Sequence, residues 1–254
     1  MPIAIDHVVV AVNDLQQAMT DYESLGFTVT PGGDHAHRGS HNALVTFQDG
    51  SYIEIIAFKH EPPVKDNTWW DLLQTGEGLV DVAVLSADLL ADTSRLANAG
   101  HQIAGPIQGG RHRPDGIEIA WRVARIDVAD ENRLPFVIDD LTEHDLRVPG
   151  GEAAVHPNGT TGIGSVVFAV TSADDVRSAW TNLFGTPEVE HTYVMGDQSI
   201  RMADATSLDP DAAALLAARG SGPVEVVLRG TNRDLPLNLT HNARFTVSSP
   251  ERTR

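Results

Sequence analysis

Cysteine is absent from this chain of 254 residues, and its absence excludes disulfides, thiolate metal sites and cysteine nucleophiles. A transition-metal site would therefore need histidines, of which there are 11, together with carboxylates. Long apolar runs are lacking as well, since no stretch approaches the ~20 residues that cross a bilayer. The chain enters a strand-like run without the basic region and apolar core of a secretion signal. We therefore expect a cytoplasmic protein.

Positive charge is scarce. Lysine and arginine number 18 against 35 aspartates and glutamates, which gives a net charge of −17. Because nucleic acids and anionic membranes attract basic surfaces, this composition argues against both as partners. The sequence also lacks a phosphate-binding glycine loop and a dinucleotide fingerprint. A small molecule is the expected ligand.

One strand-like phrase occurs three times and organises the chain. Its copies are IDHVVVAVNDL at 5–15, LVDVAVLSADL at 79–89 and IGSVVFAVTSADDV at 163–176. Each copy is an apolar run rich in β-branched residues, followed by a polar break and an amphipathic helix that ends in glycine. Repetition on this scale indicates a structural unit used several times. The alignment puts His7, Asp81 and Ser165 at one position, where we expect the chemistry.

The first two copies each predict a βαβββ module. In the first module, the tetrad QDGS at 48–51 is a hairpin signal between two strand-like runs. The fold class is therefore α+β, with the two modules forming a curved, mostly antiparallel cup and a third related module following. The predicted boundaries are 1–60 and 77–143 for the modules paired within 1–147, 148–161 for a linker, 162–230 for the third βαβββ-like module and 231–254 for a peripheral C-terminal segment.

These residues resemble a known superfamily. The strings IDHVVVAV, SHNALVTFQDGSYIEIIAF, RPDGIEIAWR and LPFVIDD are similar to the glyoxalase-like domain branch of the vicinal oxygen chelate superfamily. That superfamily includes glyoxalase I, extradiol dioxygenases, methylmalonyl-CoA epimerase and bleomycin-resistance proteins. The resemblance covers residues 3–145 well and 162–229 more weakly. It implies a divalent metal on the concave face of the cup, with ligands from the first and last strands of both modules.

The first module matches the implied ligand pattern. Alternate side chains of a strand share one face, so Tyr52, Glu54 and Ile56 point the same way and a carboxylate interrupts an apolar face. A buried carboxylate needs a partner or a metal. An imidazole and a carboxylate together suit Zn, Ni, Mn, Co or Fe. We therefore predict that His7 and Glu54 bind a metal; the alternatives are a core histidine and an exposed glutamate.

The second module departs from the pattern. Asp81 stands where the superfamily usually has a second histidine or glutamine, and Phe136 replaces the usual glutamate. The four-ligand site of glyoxalase I and the two-histidine triad of extradiol dioxygenases are therefore not met at these positions. Asp81 is either a third metal ligand, sharing the catalytic proton transfer with Glu54, or a solvated residue at the start of a strand. Phe136 would contact the substrate.

Further substrate contacts are predicted from position and charge. His41 and Asn42 stand at a strand entrance near the rim of the cup, and Arg113 and Arg122 belong to the densest basic cluster. A guanidinium suits a carboxylate or phosphate, which makes an anionic ligand one alternative and pairing with nearby carboxylates the other. Strand periodicity places either Arg122 or Trp121 inside the cup without deciding between them.

Two pairs of residues allow both a structural and a functional interpretation. His35 and His37 lie two residues apart, a spacing that can bind metal, but a solvated loop over 31–40 is the expected structure. Trp69 and Trp70 are expected to dock a helix, with a pocket lid as the alternative.

The sequence thus supports two functions. The first is a metal-dependent isomerase, lyase or epimerase, in which the ion chelates vicinal oxygens of a small substrate and stabilises an enediolate-like or oxyanionic transition state. Dioxygenase chemistry fits less well because the second histidine is missing. The second function is a metal-free protein that binds or sequesters a small molecule in the same cup. The unpaired third module predicts a homodimer.

Overall fold

The computed structural model of this chain describes residues 1–35, 39–59, 67–113, 115–127, 133–189, 191–231 and 233–249. The predicted order of one strand, one helix and three strands is confirmed for the first two modules. The first consists of β1 (Pro2–Ala11), α1 (Leu15–Ser24), β2 (Thr30–His35), β3 (Ser40–Thr46) and β4 (Tyr52–Phe58). After α2 (Thr68–Gln74), the second consists of β5 (Gly78–Ser86), α3 (Leu89–Asn98), β6 (Gln102–His112), β7 (Glu118–Asp127) and β8 (Phe136–Asp140).

A short connection leads to the third module. It contains α4 (His144–Arg147) and a 3₁₀ turn at Gly151–Ala154. The third module has the same plan with an extra helix before its last strand. Its elements are β9 (Gly162–Ala169), α5 (Ala173–Phe184), β10 (Thr192–Met195), β11 (Gln198–Ala203), α6 (Pro210–Arg219) and β12 (Gly222–Arg229), followed by β13 (Arg233–Asp234) and β14 (Phe245–Ser248).

The polar break in the repeated phrase is a helix cap. Asp14, Asp88 and Ser172 stand at the N-caps of α1, α3 and α5, and each side chain accepts a hydrogen bond from the backbone N–H three residues later. Such a cap stabilises a helix by about 1 kcal/mol. The phrase therefore encodes both the strand and the start of the following helix.

The first two modules form a closed eight-stranded barrel in the order β1-β4-β3-β2-β6-β7-β8-β5. The predicted cup is confirmed, and its pairings are antiparallel except for β1 with β4 and β5 with β8. On one side the first strands of the modules, β1 and β5, pair along most of their length. On the other side, two residue pairs within the described part of the chain join β2 to β6, and one of them sets His35 opposite Arg111. These two seams bring residues of both modules onto one inner wall.

The third module packs against the barrel of the same chain. Its strands form a six-stranded sheet in the order β10-β11-β9-β12-β14-β13, and residues of β9 such as Val166 and Phe168 share one hydrophobic core with the first module. Helix α6 covers the other face, where Ala212 and Leu216 pack on Ala169. Ala169 corresponds to Ala11 in the repeat, so α6 covers the face that is concave in the barrel. The homodimer stays a prediction.

Candidate functional site

The inner wall of the barrel encloses a cavity of about 510 Å³. Side chains from both modules and from the segment before α2 line it. The polar lining includes His7, His35, Ser40, Asn42, Glu54, Asn67, Arg111, Arg125 and Arg147, and the apolar lining includes Leu44, Tyr52, Ile56, Phe58, Trp69, Ile107, Trp121, Val123, Phe136 and Ile138. A cavity of this size suits a small organic molecule.

His7 and Glu54 lie together on this wall. Their strands, β1 and β4, pair in parallel, with His7 beside Tyr52 and Val9 beside Glu54. The Nε2 atom of His7 is 3.5 Å from Oε2 of Glu54, and the side chains are only 3% and 7% exposed. The imidazole also stacks on the ring of Tyr52 at 4.4 Å between centroids. The face of β4 deduced from strand alternation, with Tyr52, Glu54 and Ile56 together, is the face that lines the cavity.

A buried carboxylate orients His7 from behind. Nδ1 of His7 lies 2.5 Å from Oδ1 of Asp6, and Arg147 donates two hydrogen bonds to the same carboxylate at 2.8 and 2.7 Å. Burial by itself raises the pKa of Asp6, but Arg147 and His7 more than reverse this and hold that pKa well below its ordinary value. Because Asp6 accepts the Nδ1 proton, Nε2 is the nitrogen that faces the cavity. No pattern in the sequence marks Asp6 or Arg147 as functional.

The imidazole of His7 is held between two carboxylates. Burial lowers its pKa, and the contacts with Asp6 and Glu54 outweigh burial, so that the pKa of His7 lies above its ordinary value. Arg147 is anchored independently by Asp140, which accepts hydrogen bonds from Nε and a terminal nitrogen, and by the hydroxyl of Tyr52 at 2.9 Å. The network therefore runs from the cavity through His7 and Asp6 to Arg147.

Glu54 is an ionised carboxylate in a largely apolar wall. Burial raises its pKa, while His7, His35 and Asn42 together lower the pKa to about 2. Asn42 donates to Oε1 of Glu54 at 2.6 Å. The amide oxygen of Asn42 is buried and has no hydrogen-bond partner within the described residues. It is a further oxygen donor beside Glu54.

The expectation of a solvated loop is wrong for His35. Strand β2 extends through His35, whose side chain is 8% exposed and whose Nε2 lies 3.5 Å from Oε1 of Glu54. Its Nδ1 is 3.0 Å from the hydroxyl of Ser40. Gly32 and Gly33 lie within this strand, and in the sequence such a pair of glycines indicates a loop. A Cβ on Gly32 would come within 2.0 Å of the Asn42 amide oxygen, so a glycine is required for close packing there. His37 lies outside the described residues.

Three strands thus direct two imidazoles and one carboxylate towards one part of the cavity. His7, His35 and Glu54 supply nitrogen and oxygen donors of the kind that divalent transition metals prefer, and the Asn42 oxygen adds a neutral donor. The donor chemistry therefore fits a metal. The spacing is that of hydrogen-bonded pairs, since no three His, Asp or Glu side chains in the described part of the chain stand at the spacing of a preformed metal site.

Asp81 and Phe136 have different surroundings. Asp81 is 2% exposed, not solvated; its carboxylate accepts from Trp69 Nε1 at 2.7 Å and Arg125 at 2.5 Å. It is not among the residues that line the cavity, and its role as a metal ligand or catalytic group stays a prediction. Phe136 lines the cavity, with its ring edge-on to His7 at 5.5 Å and beneath the guanidinium of Arg125 at 4.8 Å.

The other predicted substrate contacts divide between the two faces of the strands. Asn42 lines the cavity, while His41 is absent from the lining, as alternation along β3 requires. Arg113 pairs with Asp115 at 2.8 Å and does not line the cavity.

Strand β7 settles which of two neighbours enters the cup. Trp121 lines the cavity, and Arg122 forms a two-pronged ion pair with Asp139 away from the cavity lining. Trp69 also belongs to the cavity wall, and Trp70 packs edge-on against Phe58 at 5.4 Å. Substrate contact by His41, Arg113 or Arg122 stays a prediction.

Known families and structures agree with this architecture. The sequence model of the glyoxalase-like domain matches residues 5–184. A hypothetical protein from Staphylococcus aureus superposes with a TM-score of 0.72 at 16% identity, over 96% of this chain and 98% of that chain. A triple mutant of 4-hydroxymandelate synthase from Streptomyces coelicolor gives a TM-score of 0.58 at 14% identity, over 94% of this chain and 74% of that chain. At these identities the likenesses show a shared fold.

No curated protein sequence matches this chain significantly. Within the described residues, no helix has both the length and the apolar character needed to cross a membrane.

Proposed function

Because the chain belongs to the glyoxalase-like domain family, we propose that it is a metal-dependent enzyme of the vicinal oxygen chelate type. It would catalyse an isomerase, lyase or epimerase reaction on a small oxygen-rich molecule. The observation that carries the proposal is the convergence of His7, His35 and Glu54 on one cavity. In this proposal His35, which lines the cavity, joins His7 and Glu54 in the ligand set, whereas Asp81 does not line the cavity.

His7, His35 and Glu54 would hold the ion at the wall of the cavity. A bound divalent metal would act as a Lewis acid towards two neighbouring oxygens of the substrate. Asp6 keeps the His7 ring in the orientation that presents Nε2, and Arg147 keeps Asp6 ionised. The apolar wall, including Trp121 and Phe136, would exclude water and hold the apolar part of the substrate.

Glu54 is the carboxylate that could move a proton. Its Oε2 faces His7, while Asn42 holds Oε1. The contacts with the two imidazoles are what lower its pKa, against the effect of burial. In the proposed site the cation would lie beside Glu54 and would keep the carboxylate ionised, as a base requires. Glu54 would then take a proton from the substrate at Oε2 and return it.

A second candidate function is a metal-free protein that binds a small molecule. It is favoured by the predominantly apolar lining and by Phe136, which lies against His7 where the superfamily usually has a glutamate. In this case the ion pairs of His7 with Asp6 and Glu54 would be purely structural.

Metal analysis separates the two functions. Protein purified without chelator, and then dialysed against Zn²⁺, Mn²⁺, Ni²⁺, Co²⁺ or Fe²⁺, should contain one equivalent of metal. His7→Ala and Glu54→Gln should lose it while remaining folded. His41→Ala is the matched control, because His41 lies on the same sheet outside the cavity lining. Wild-type protein that takes up none of these metals would support the metal-free function.

A further inference from the structure

Arg111 is a buried cation on the cavity wall. Arg111 is 4% exposed and lies on β6, directly opposite His35 on β2. Residues opposite each other on neighbouring antiparallel strands have Cβ atoms about 5 Å apart. Arg111 and His35 both line the cavity, so their side chains project from the same side of the sheet. The guanidinium therefore lies next to the proposed metal-binding residues.

The guanidinium of Arg111 is held by neutral groups. One terminal nitrogen donates to the backbone oxygen of Gly32, and the other donates to that of Arg147 at 3.0 Å. These bonds use two of the five N–H donors of a guanidinium. They fix its position without compensating its charge.

The other cavity arginines have carboxylate partners. Arg147 pairs with Asp6 and Asp140, and Arg125 pairs with Asp81. No carboxylate of the described residues lies within 4 Å of Arg111. Glu54 attracts the guanidinium only from beyond this distance, so the buried charge is partly compensated, and an anionic ligand in direct contact would complete the compensation.

We propose that Arg111 binds the carboxylate of the substrate, and that the substrate is an organic monoanion with an apolar body. One unpaired guanidinium matches one negative charge, which favours a carboxylate over a doubly charged phosphate. The apolar body would lie along Trp69, Trp121 and Phe136, in a cavity of about 510 Å³. The further assignment of two vicinal oxygens to the metal end rests on the proposed function; the carboxylate site itself does not.

This assignment changes which arginine of the basic cluster recognises an anion. The clustering of charge in the sequence favours Arg113 and Arg122, which pair with Asp115 and Asp139 in the structure. Arg113 follows the end of β6, whereas Arg111 is still within the strand and faces inward. Arg113 is therefore a matched control, with the same charge two residues away and outside the cavity lining.

The test compares carboxylates with their neutral amides. Benzoate, phenylacetate and octanoate are each titrated into the full-length protein beside benzamide, phenylacetamide and octanamide, with binding followed by calorimetry and by the fluorescence of the cavity tryptophans. At least one acid should bind about tenfold or more tightly than its amide, as expected for hydrogen bonds to a charged group. Arg111→Gln should abolish this preference, Arg111→Lys should weaken it because the fork is lost, and Arg113→Gln should preserve it.

The experiment still tests the carboxylate site if Arg111→Gln does not fold. The ratio between acid and amide is measured in the wild-type protein, and equal affinities, or no binding of any acid at millimolar concentration, would overturn the proposal. A preference that persists in folded Arg111→Lys and Arg111→Gln would also overturn it. All titrations are made on metal-loaded and chelator-treated protein. A preference that depends on Arg111 without metal would support the carboxylate site even if the metal analysis contradicts the proposed enzyme.

Discussion

Replacing Asp6 by asparagine tests whether this carboxylate acts on His7 or only on the fold. The substitution keeps the shape of the side chain and removes its charge. Asp6 accepts one hydrogen bond from His7 and two from Arg147, and its side chain is fully buried. An asparagine oxygen at the Oδ1 position could still accept from His7 and from one terminal nitrogen of Arg147, but the amide nitrogen at the Oδ2 position would face the other terminal nitrogen of Arg147, which is also a donor.

The expected loss of stability follows from these contacts. Removing one partner of a buried ion pair costs about 3–5 kcal/mol. Arg147 keeps its bonds to Asp140 and Tyr52, so we expect the lower end of that range, about 3 kcal/mol. Asp140→Asn is the matched control, because Asp140 pairs with the same guanidinium but is partly open to solvent and does not touch His7. Its cost should be about 1–2 kcal/mol.

Two assays are needed. Urea denaturation of chelator-treated protein gives the free energy of unfolding, and competition with a chromophoric chelator gives the metal affinity. Asp6→Asn should lower the metal affinity about 10–100-fold, as for loss of a carboxylate that orients a ligating histidine. Asp140→Asn should leave it within about threefold of wild type. Unchanged metal affinity in folded Asp6→Asn would refute the orienting role, and equal losses in both variants would assign the effect to Arg147 and the fold.

Two further predictions concern the wall of the cavity. Gly32→Ala should destabilise the protein by about 1–3 kcal/mol, because a Cβ would meet the buried amide oxygen of Asn42 at 2.0 Å. Gly150→Ala is the control, because a Cβ at that position would meet nothing within 4 Å. Equal free energies of unfolding for the two variants would contradict the packing argument. In chelator-treated protein, Glu54 has its pKa lowered from 4.5 to about 2, so its contribution to stability is complete above about pH 4.5 and is lost as the pH falls to about 2. Denaturation curves across this range should show a shallower acid limb for Glu54→Gln, and an unchanged slope would contradict the assignment.

The repeated phrase made the barrel predictable, because each copy contains the local signals for a strand and for the start of a helix. The β-branched run specifies a buried strand, and Asp14, Asp88 or Ser172 starts the next helix at the predicted place. Alternation along β4 was enough to place Glu54 among apolar neighbours on one face. These are local signals, and two adjacent modules with the same signals form the same sheet.

The residues that the sequence did not reveal depend on contacts between distant strands. His35 faces Glu54 only because β2 continues past Gly32 and Gly33, where glycine normally indicates a turn. Asp6 is adjacent to His7 in sequence, yet its importance comes from Arg147, which is 141 residues away. Arg111 and Arg113 have the same strand parity, but β6 ends at His112 and only Arg111 lines the cavity. Periodicity cannot supply such information.

The two modules of the barrel have diverged in what they contribute to the cavity. His7, His35, Asn42 and Glu54, which carry the donors of the proposed metal site, all come from the first module, whereas Trp121, Phe136 and Arg111 come from the second. The proposed metal site would therefore draw its ligands from one module and not from equivalent strands of both. One module would hold the ion and the reacting oxygens, and the other would hold the body and the charge of the substrate. The seam between β2 and β6 sets His35 opposite Arg111 and so fixes the distance between these two functions.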